Sequence, residues 1–381
     1  MTLREYIENE IRQSGPIPFS RFMQLCLYGE TASPPGYYSG QREQFGKSGD
    51  FYTSSDVHAV YGRLLARQFE QMWRVLEKPT EIAVIELGPG RGFFAQDVLA
   101  WVRKKYPDFA AALSYRMVET SGALRFRLGE RFGEDPKVSI HSGIEEAFDA
   151  SPEHVIVFAN EFFDALPTEV LDHRGELRIG MDNGKFVERF VSPTEPVKNF
   201  VTKYGVAPEP GERVDAPLVA QRYASDIASM MQARRGFGVF VDYGYVQSEM
   251  LAGRHLGTVT SFRQHTISDS PYEAPGEQDI TVHVNFTAIA DAFRSRKVEP
   301  LAWVTQAQFL MGVGEESQFA EAFEECKLPQ EQTKRALQLK HLIAPEGMGE
   351  SFHVLVVAAN LDKEKAARLD GLKFVRPSNQ I

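Results

Sequence analysis

Ile82-Ala83-Val84-Ile85-Glu86-Leu87-Gly88-Pro89-Gly90-Arg91-Gly92 is an apolar run broken only by Glu86, followed by glycines alternating with other residues. The helical pattern Phe93 to Lys105 comes directly after it. A short apolar run that stops at glycine and restarts as a helix is a buried strand turning tightly into a helix, the opening half of a βαβ unit. Glycine suits such a turn because, lacking Cβ, it adopts backbone angles closed to other residues and lets a ligand approach the main chain.

Working outward, Tyr115 to Glu119, Val138 to His141 and Val155 to Ala159 also read as buried strands, with helices between the first three of the four, counting from Ile82 to Leu87. That alternation predicts an α/β fold with a doubly wound, mostly parallel sheet. Glu169 to Pro193 reads as a β-hairpin insertion with turns at His173-Arg174-Gly175 and Asp182-Asn183-Gly184. Helix resumes from Pro217 to Arg234, and a fifth core strand spans Gly238 to Asp242. The tail adds strands at Val298 to Val304 and Phe352 to Ala359, with helices near Glu315 to Glu325 and Gln330 to Leu342. Before the sheet, an opening amphipathic helix, Phe19 to Leu27 and Ala59 to Leu76 are helical, separated by the loop Ser33 to Gly40. The expected organisation is an N-terminal helical region or lid over residues 1–80 and a Rossmann-like domain over 81–381, with insertions at about 169–235 and 245–290.

The chain has 381 residues, 43% of them hydrophobic and 25% charged, enough for one large or two modest cores. Its formal net charge of -10 argues against sequence-independent binding to nucleic acid or anionic lipid. Cys26 and Cys326 are the two cysteines, with no partner spacing for a zinc knuckle or redox pair, so no metal is expected. No apolar run is long enough to cross a bilayer, and the acid-rich segment Met1 to Ser14 resembles no targeting peptide. These features predict a cytoplasmic setting.

A dinucleotide site wants G-x-G-x-x-G facing a pyrophosphate; here the spacing is G-x-G-x-G and Glu86 stands just before it. An acid there disfavours phosphate and suits the cationic methionyl amine of S-adenosyl-L-methionine. Glu119, ending the next strand, is positioned to accept hydrogen bonds from both ribose hydroxyls. Glu86, Gly88, Pro89, Gly90, Gly92 and Glu119 form one candidate cofactor constellation. On pattern alone, a nucleotide-dependent oxidoreductase and a purely structural glycine turn remain alternatives.

The chain resembles the MidA-like methyltransferases, whose mitochondrial member is an arginine methyltransferase acting in respiratory complex I assembly. The resemblance rests on Gly15-Pro16-Ile17, Phe22-Met23, Leu27-Tyr28, Gly36-Tyr37-Tyr38, Gly49-Asp50-Phe51, Glu86 through Gly92, Asn160-Glu161-Phe162-Phe163-Asp164-Ala165-Leu166-Pro167, Val241-Asp242-Tyr243-Gly244 and Pro275 through Thr281. It implies a class I methyltransferase fold, S-adenosyl-L-methionine as cofactor and, in the mitochondrial branch, symmetric dimethylation of an arginine on a partner subunit. The chain departs from the family at Ser54-Ser55-Asp56 and at Asn285, outside the cofactor loop.

Ligands of open α/β sheets bind beyond the carboxyl ends of the strands, which places Asn160, Glu161 and Asp164 at the site. A guanidinium is a poor nucleophile, and carboxylates paired to its other nitrogens orient it and localise its charge. By resemblance to arginine methyltransferases, Glu161 matches the first of their paired glutamates, with Asp164 the candidate second; the alternative is that both acids cap a following helix. His283 would serve as general base for a hydroxyl acceptor, against a structural role on a strand. Gly49, Tyr52 and Thr53 are candidates for a lid reaching the methionyl end, against a plain helix-entry turn. The aromatic groups Phe45, Phe51, Tyr52 and Tyr37-Tyr38 suit either an acceptor pocket or core packing. A protein-arginine N-methyltransferase is the leading expectation, a small-molecule O-methyltransferase the second and a non-catalytic assembly protein the third. The expected partner is accordingly a protein arginine or a small-molecule acceptor, with neither nucleic acid nor membrane, and a homodimer is allowed.

Overall fold

The computed structural model describes residues 1–29, 32–40, 59–249, 255–263, 266–268, 270–376 and 381, and structural statements here concern those residues. Two compact units divide the chain. One, the discontinuous unit of the opening helices and the insertions, is made of Met1–Tyr52, Phe163–Tyr223 and Tyr245–Ile289; the other, likewise in three stretches, comprises Thr53–Phe162, Ala224–Gly244 and Ala290–Ile381. The division therefore differs from a single boundary at residue 80: the opening helices join both insertions, while the helix Ala59–Val75 belongs with the sheet.

The second unit holds the sheet expected from the alternation. Its strands are β1 (Ile82–Leu87), β2 (Leu113–Val118), β3 (Val138–His141), β4 (His154–Asn160), β5 (Arg235–Tyr245), β6 (Glu299–Thr305) and β7 (Phe352–Ala359). They lie in the order β3-β2-β1-β4-β5-β7-β6. Pairings from β3 through β5 are parallel, and β7 runs antiparallel between β5 and β6. Successive connections run one way from β1 to β2 and the other from β1 to β4, so the crevice at the carboxyl ends of β1 and β4 is the switch point where such sheets bind ligands.

Residues of β1 are buried on both faces. Helix α1 (Ala59–Val75) and helix α2 (Phe93–Lys105) cover the sheet, and Phe69, Phe94 and Phe158 pack together between them. Phe94 and Phe158 stack with centroids 4.3 Å apart. Phe158→Ala is expected to cost about 3–5 kcal/mol, the range for emptying a buried aromatic site, seen as a lowered urea midpoint; an unchanged midpoint would show that the site collapses without loss.

In the discontinuous unit, the helices Leu3–Ser14 and Phe19–Tyr28 share a core with the strands Glu169–Asp172 and Gly175–Asp182 and with Ile280 and Val282. The first helix begins at a capping box: Thr2 Oγ1 accepts from Glu5 N–H at 3.2 Å, and Glu5 Oε2 accepts from Thr2 N–H at 2.7 Å. The hairpin insertion expected over residues 169–193 is present, its two turns joining three strands, the last of them Lys185–Val191. Asn183 and Gly184 make its second turn with φ of 48° and 74°, the left-handed pair a tight hairpin turn demands.

The helix expected near Glu315 to Glu325 is displaced. Helix occupies Gln306–Glu315, followed by the short turn Ala320–Phe323. Thr305 Oγ1 accepts from Gln308 N–H at 3.2 Å and the Gln308 side chain accepts from Thr305 N–H at 3.1 Å, a capping box that starts the helix immediately after β6.

Candidate functional site

β1 and β4 are in register with Leu87 opposite Ala159, so Gly88 and Asn160 leave the sheet at the same level. Gly88, Gly90 and Gly92 have φ of 64°, 51° and 76°, all in the left-handed region. Gly92 N–H donates to Pro89 O at 2.8 Å, closing the turn, and Gly92 is the residue from which α2 starts. A Cβ on Gly92 would stand 2.6 Å from the Phe132 ring and 2.8 Å from Leu128 Cδ2.

Two acids flank this turn. Glu86 is only 4% exposed and accepts from the Tyr115 hydroxyl at 2.8 Å. Burial pushes its pKa up to about 8, with the Tyr115 hydrogen bond working in the opposite direction. Glu119, just beyond β2, is buried, and its Oε1 accepts from Ser121 N–H at 2.8 Å. Burial raises its pKa to about 7, against the Ser121 amide and the nearby Arg125 charge. A carboxyl held this far above its usual range gains from any cationic or hydroxyl-bearing group that comes to it. The bare main chain of the turn, with an acid at each side, therefore fits S-adenosyl-L-methionine, which carries an ammonium group at one end and a ribose diol at the other.

At the end of β4, Glu161 has φ of 51°. A non-glycine residue in that region is strained, and such strain persists only where neighbours hold it. Here Glu161 N–H donates to Val241 O at 2.9 Å. Asp242, 1% exposed and three residues before the end of β5, accepts from Phe162 N–H at 3.2 Å and from Tyr243 N–H at 3.0 Å. The Asn160 side-chain amide donates to Glu161 Oε1 at 2.9 Å and accepts from the Tyr61 hydroxyl at 2.9 Å. Residues 161–168 form turns and bends, so no helix follows β4 for Glu161 and Asp164 to cap.

Within the sheet unit, the structure thus brings Glu86, the glycine turn, Glu119, Asn160 and Glu161 to the carboxyl ends of the strands. Asp164 and His283 belong to the discontinuous unit. Asp164 is buried, and its backbone carbonyl accepts from Val282 N–H at 3.0 Å. It lies near Tyr38, whose hydroxyl donates to Asp279 Oδ1 at 3.0 Å. Burial, then Asp279, Tyr28 and Asp164, raise the Tyr38 pKa well above the ordinary value. His283 stands between two short strands rather than on one, and its N–H donates to Thr258 Oγ1 at 3.0 Å. Its ring has an exposed edge, with enough solvent displaced to lower its pKa. Gly49, Tyr52 and Thr53, with Phe45 and Phe51, lie outside the described residues.

Asn285, a departure from the resembled family, caps the helix Phe286–Ser295 by accepting from Ala288 N–H at 3.1 Å. It also borders a cavity of about 350 Å³ with Asp215, Tyr245 and Gln247. Among the described residues, no group of three His, Cys, Asp or Glu side chains is placed to hold a metal, and no helix is long and apolar enough to cross a membrane. Tyr61 and Asp242 join the cluster without having been singled out as site residues from the sequence. Asp242 had a signal, an acid closing the otherwise apolar strand expected from Gly238 to Asp242; Tyr61 sits on the apolar face of α1 and reads only as core.

Residues 64–303 match the sequence profile of a family described as S-adenosyl-L-methionine-dependent methyltransferases. The chain is 28% identical over 402 residues to the mitochondrial protein arginine methyltransferase NDUFAF7 homologue of Drosophila melanogaster, covering 95% of this chain and 87% of that protein. It is 25% identical over 401 residues to the mitochondrial protein arginine methyltransferase NDUFAF7 of Homo sapiens, covering 97% and 85%. A crystal structure of a Burkholderia thailandensis protein bound to S-adenosyl-homocysteine superposes with a TM-score of 0.82 at 27% identity, covering 99% of this chain and 96% of that one. The mitochondrial names of the curated relatives overturn the expectation of a cytoplasmic setting.

Proposed function

Because the chain belongs to this family of S-adenosyl-L-methionine-dependent methyltransferases, we propose that it methylates a guanidinium nitrogen of an arginine in a protein. The observation that carries this reading is Glu161, a carboxylate held in a strained backbone conformation at the switch point and hydrogen-bonded by Asn160. The arginine methyltransferase names of relatives covering nearly the whole chain support it.

The cofactor supplies a methyl group on a sulfonium, so that as the new N–C bond forms, the C–S bond breaks and its electron pair stays on sulfur. Glu86 holds the methionyl ammonium, Glu119 the ribose hydroxyls, and Gly88, Pro89, Gly90 and Gly92 let the main chain close on the ligand. Asn160 borders the same pocket. Glu161 pairs with the acceptor guanidinium, draws positive charge towards itself and leaves one nitrogen lone pair facing the methyl carbon. The nitrogen that gains the methyl group loses one proton, and Glu161 is the carboxylate placed to take it. Asp164 is the second acidic candidate of the acceptor side.

Incubation with methyl-labelled cofactor and a mitochondrial lysate divided into protein and small-molecule fractions tests this reading. Label is expected in protein, recovered as methylarginine after hydrolysis. Label confined to small molecules would overturn it in favour of a hydroxyl acceptor, for which His283, with its lowered pKa, is the available base.

Cofactor binding should depend on pH through Glu86. With a pKa of about 8 in the free protein, the carboxyl must shed its proton to pair with an ammonium. Affinity for S-adenosylhomocysteine is expected to rise by up to about tenfold per pH unit from pH 6 to 7.5, then level off as the Glu86 carboxyl becomes fully ionised above about pH 8. Calorimetry across pH reads this, and Glu86→Gln should flatten the rise; a wild-type curve already flat would remove Glu86 from the ammonium site. The same shift has the opposite sign for stability. The folded protein retains a proton that the unfolded chain loses above its ordinary pKa of 4.5, so this residue's contribution is largest below pH 4.5 and is lost as pH rises through about 8.

A further inference from the structure

We propose that Tyr61 is a positioning residue for methyl transfer: through Asn160, its hydroxyl fixes the direction in which the Glu161 carboxylate faces. The proposal rests on the reading of Glu161 as the acceptor-side carboxylate.

A side-chain amide has a donating and an accepting end, and its two flipped orientations fill the same space. The Tyr61 hydroxyl donates to Asn160 Oδ1 at 2.9 Å, which turns Nδ2 towards Glu161 Oε1, also at 2.9 Å. The flipped amide would set its carbonyl oxygen against the carboxylate. Tyr61 holds the productive orientation because it is itself fixed. It is 1% exposed on α1 and packs against Phe94 with ring centroids 5.7 Å apart. Burial, then Glu161 and Glu86, keep its hydroxyl protonated far above ordinary pH, so it always has a proton to give. Asp242 and Val241 secure the backbone on either side of Glu161. Backbone and side chain of the same carboxylate are thus held by separate devices, and only the second depends on Tyr61. The hydroxyl also lies within electrostatic range of both Glu86 and Glu161, the acids assigned to cofactor and acceptor.

Tyr61→Phe in the full chain keeps the ring and removes the hydroxyl. Three readouts apply: affinity for S-adenosylhomocysteine by calorimetry, the rate of label transfer to lysate protein at saturating cofactor, and the titration of the Glu161 carboxyl carbon by NMR, assigned by its disappearance in Glu161→Gln. Affinity is expected to stay within about twofold while the rate falls about tenfold or more, since misplacement acts on the reacting geometry. The Glu161 midpoint should move up by about half to one pH unit, because a donor to its charged form is lost while Glu86 and Asp242 remain. A wild-type rate together with a wild-type midpoint would overturn the proposal, as would a loss of rate matched by an equal loss of cofactor affinity. If Tyr61→Phe does not fold, Asn160→Ser, which removes both ends of the amide, must raise the same midpoint, and an unmoved midpoint overturns the relay. Glu161→Gln separates the two ideas: if it methylates arginine at the wild-type rate, the functional reading of Glu161 fails. If Glu161→Gln is inactive while Tyr61→Phe is unimpaired, the relay alone fails.

Discussion

Glu161→Gln is expected to fold, to bind S-adenosylhomocysteine as the wild type does, and to transfer methyl groups to protein arginine more slowly by on the order of a hundredfold to a thousandfold, the range for removing one preorganised charge at a reacting centre. Glutamine matches glutamate in shape, so the change isolates charge. The amide retains an oxygen able to accept from Asn160 Nδ2, and the Glu161 N–H bond to Val241 is a main-chain contact the substitution does not touch. What disappears is the negative charge that pairs with a guanidinium and receives the departing proton. The effect should therefore fall on kcat for arginine, with cofactor affinity spared. Single-turnover transfer from labelled cofactor, run beside calorimetry, makes the separation. Undiminished arginine methylation would sink the assignment of Glu161, and lost cofactor affinity would move Glu161 to the other side of the reaction.

Gly92→Val should have the second large effect, and on a different step. Its φ of 76° is one that β-branched residues strongly resist, and its Cβ would meet Phe132 and Leu128, both packed in the core. The left-handed conformation costs roughly 1–2 kcal/mol for a residue with a side chain, and overpacking adds about 1–3 kcal/mol. Relief of either strain displaces the turn that ends at Gly92. A lowered melting temperature is expected together with loss of S-adenosylhomocysteine binding at millimolar ligand. Wild-type affinity in a destabilised variant would show that the turn serves packing alone.

The sheet was legible because its central strands, Ile82–Leu87, His154–Asn160 and Phe352–Ala359 among them, are buried on both faces along most of their length and end abruptly. Ile82–Leu87, Val138–His141 and Phe352–Ala359 are bounded in the sequence where the structure bounds them.

 The last of these, from Phe352 to Ala359, agrees with the expected span at both ends. The helix Gln306–Glu315 carries Gly312 and Gly314, residues of low helix propensity, and was not among the expected helices. Gly312 is there because the Asp370 carbonyl oxygen lies 2.1 Å from where a Cβ would be, a tertiary contact with no local trace. The discontinuous unit was illegible for the same reason: Phe22, Val170 and Ile280 share a core although long stretches of chain separate them. At the candidate site, the acids Glu86, Glu119 and Glu161 were readable because each stands at the carboxyl end of a strand, Glu86 within its last two residues and the other two directly after theirs. The left-handed backbone of Glu161 and the hydroxyl of Tyr61 were not, since both depend on what the fold brings alongside them.

The position of β7 bears on how the protein is made. Phe352–Ala359 is synthesised after every other strand of its sheet, yet it is hydrogen-bonded on both sides, by β5 and by β6. A nascent chain that has emerged only as far as β6 therefore exposes a bare strand edge along β5, the kind of surface that recruits foreign strands. Completion of this unit must wait until the ribosome has delivered residue 359, and a premature stop before residue 352 would leave the middle of the sheet unpaired, with β6 deprived of its partner.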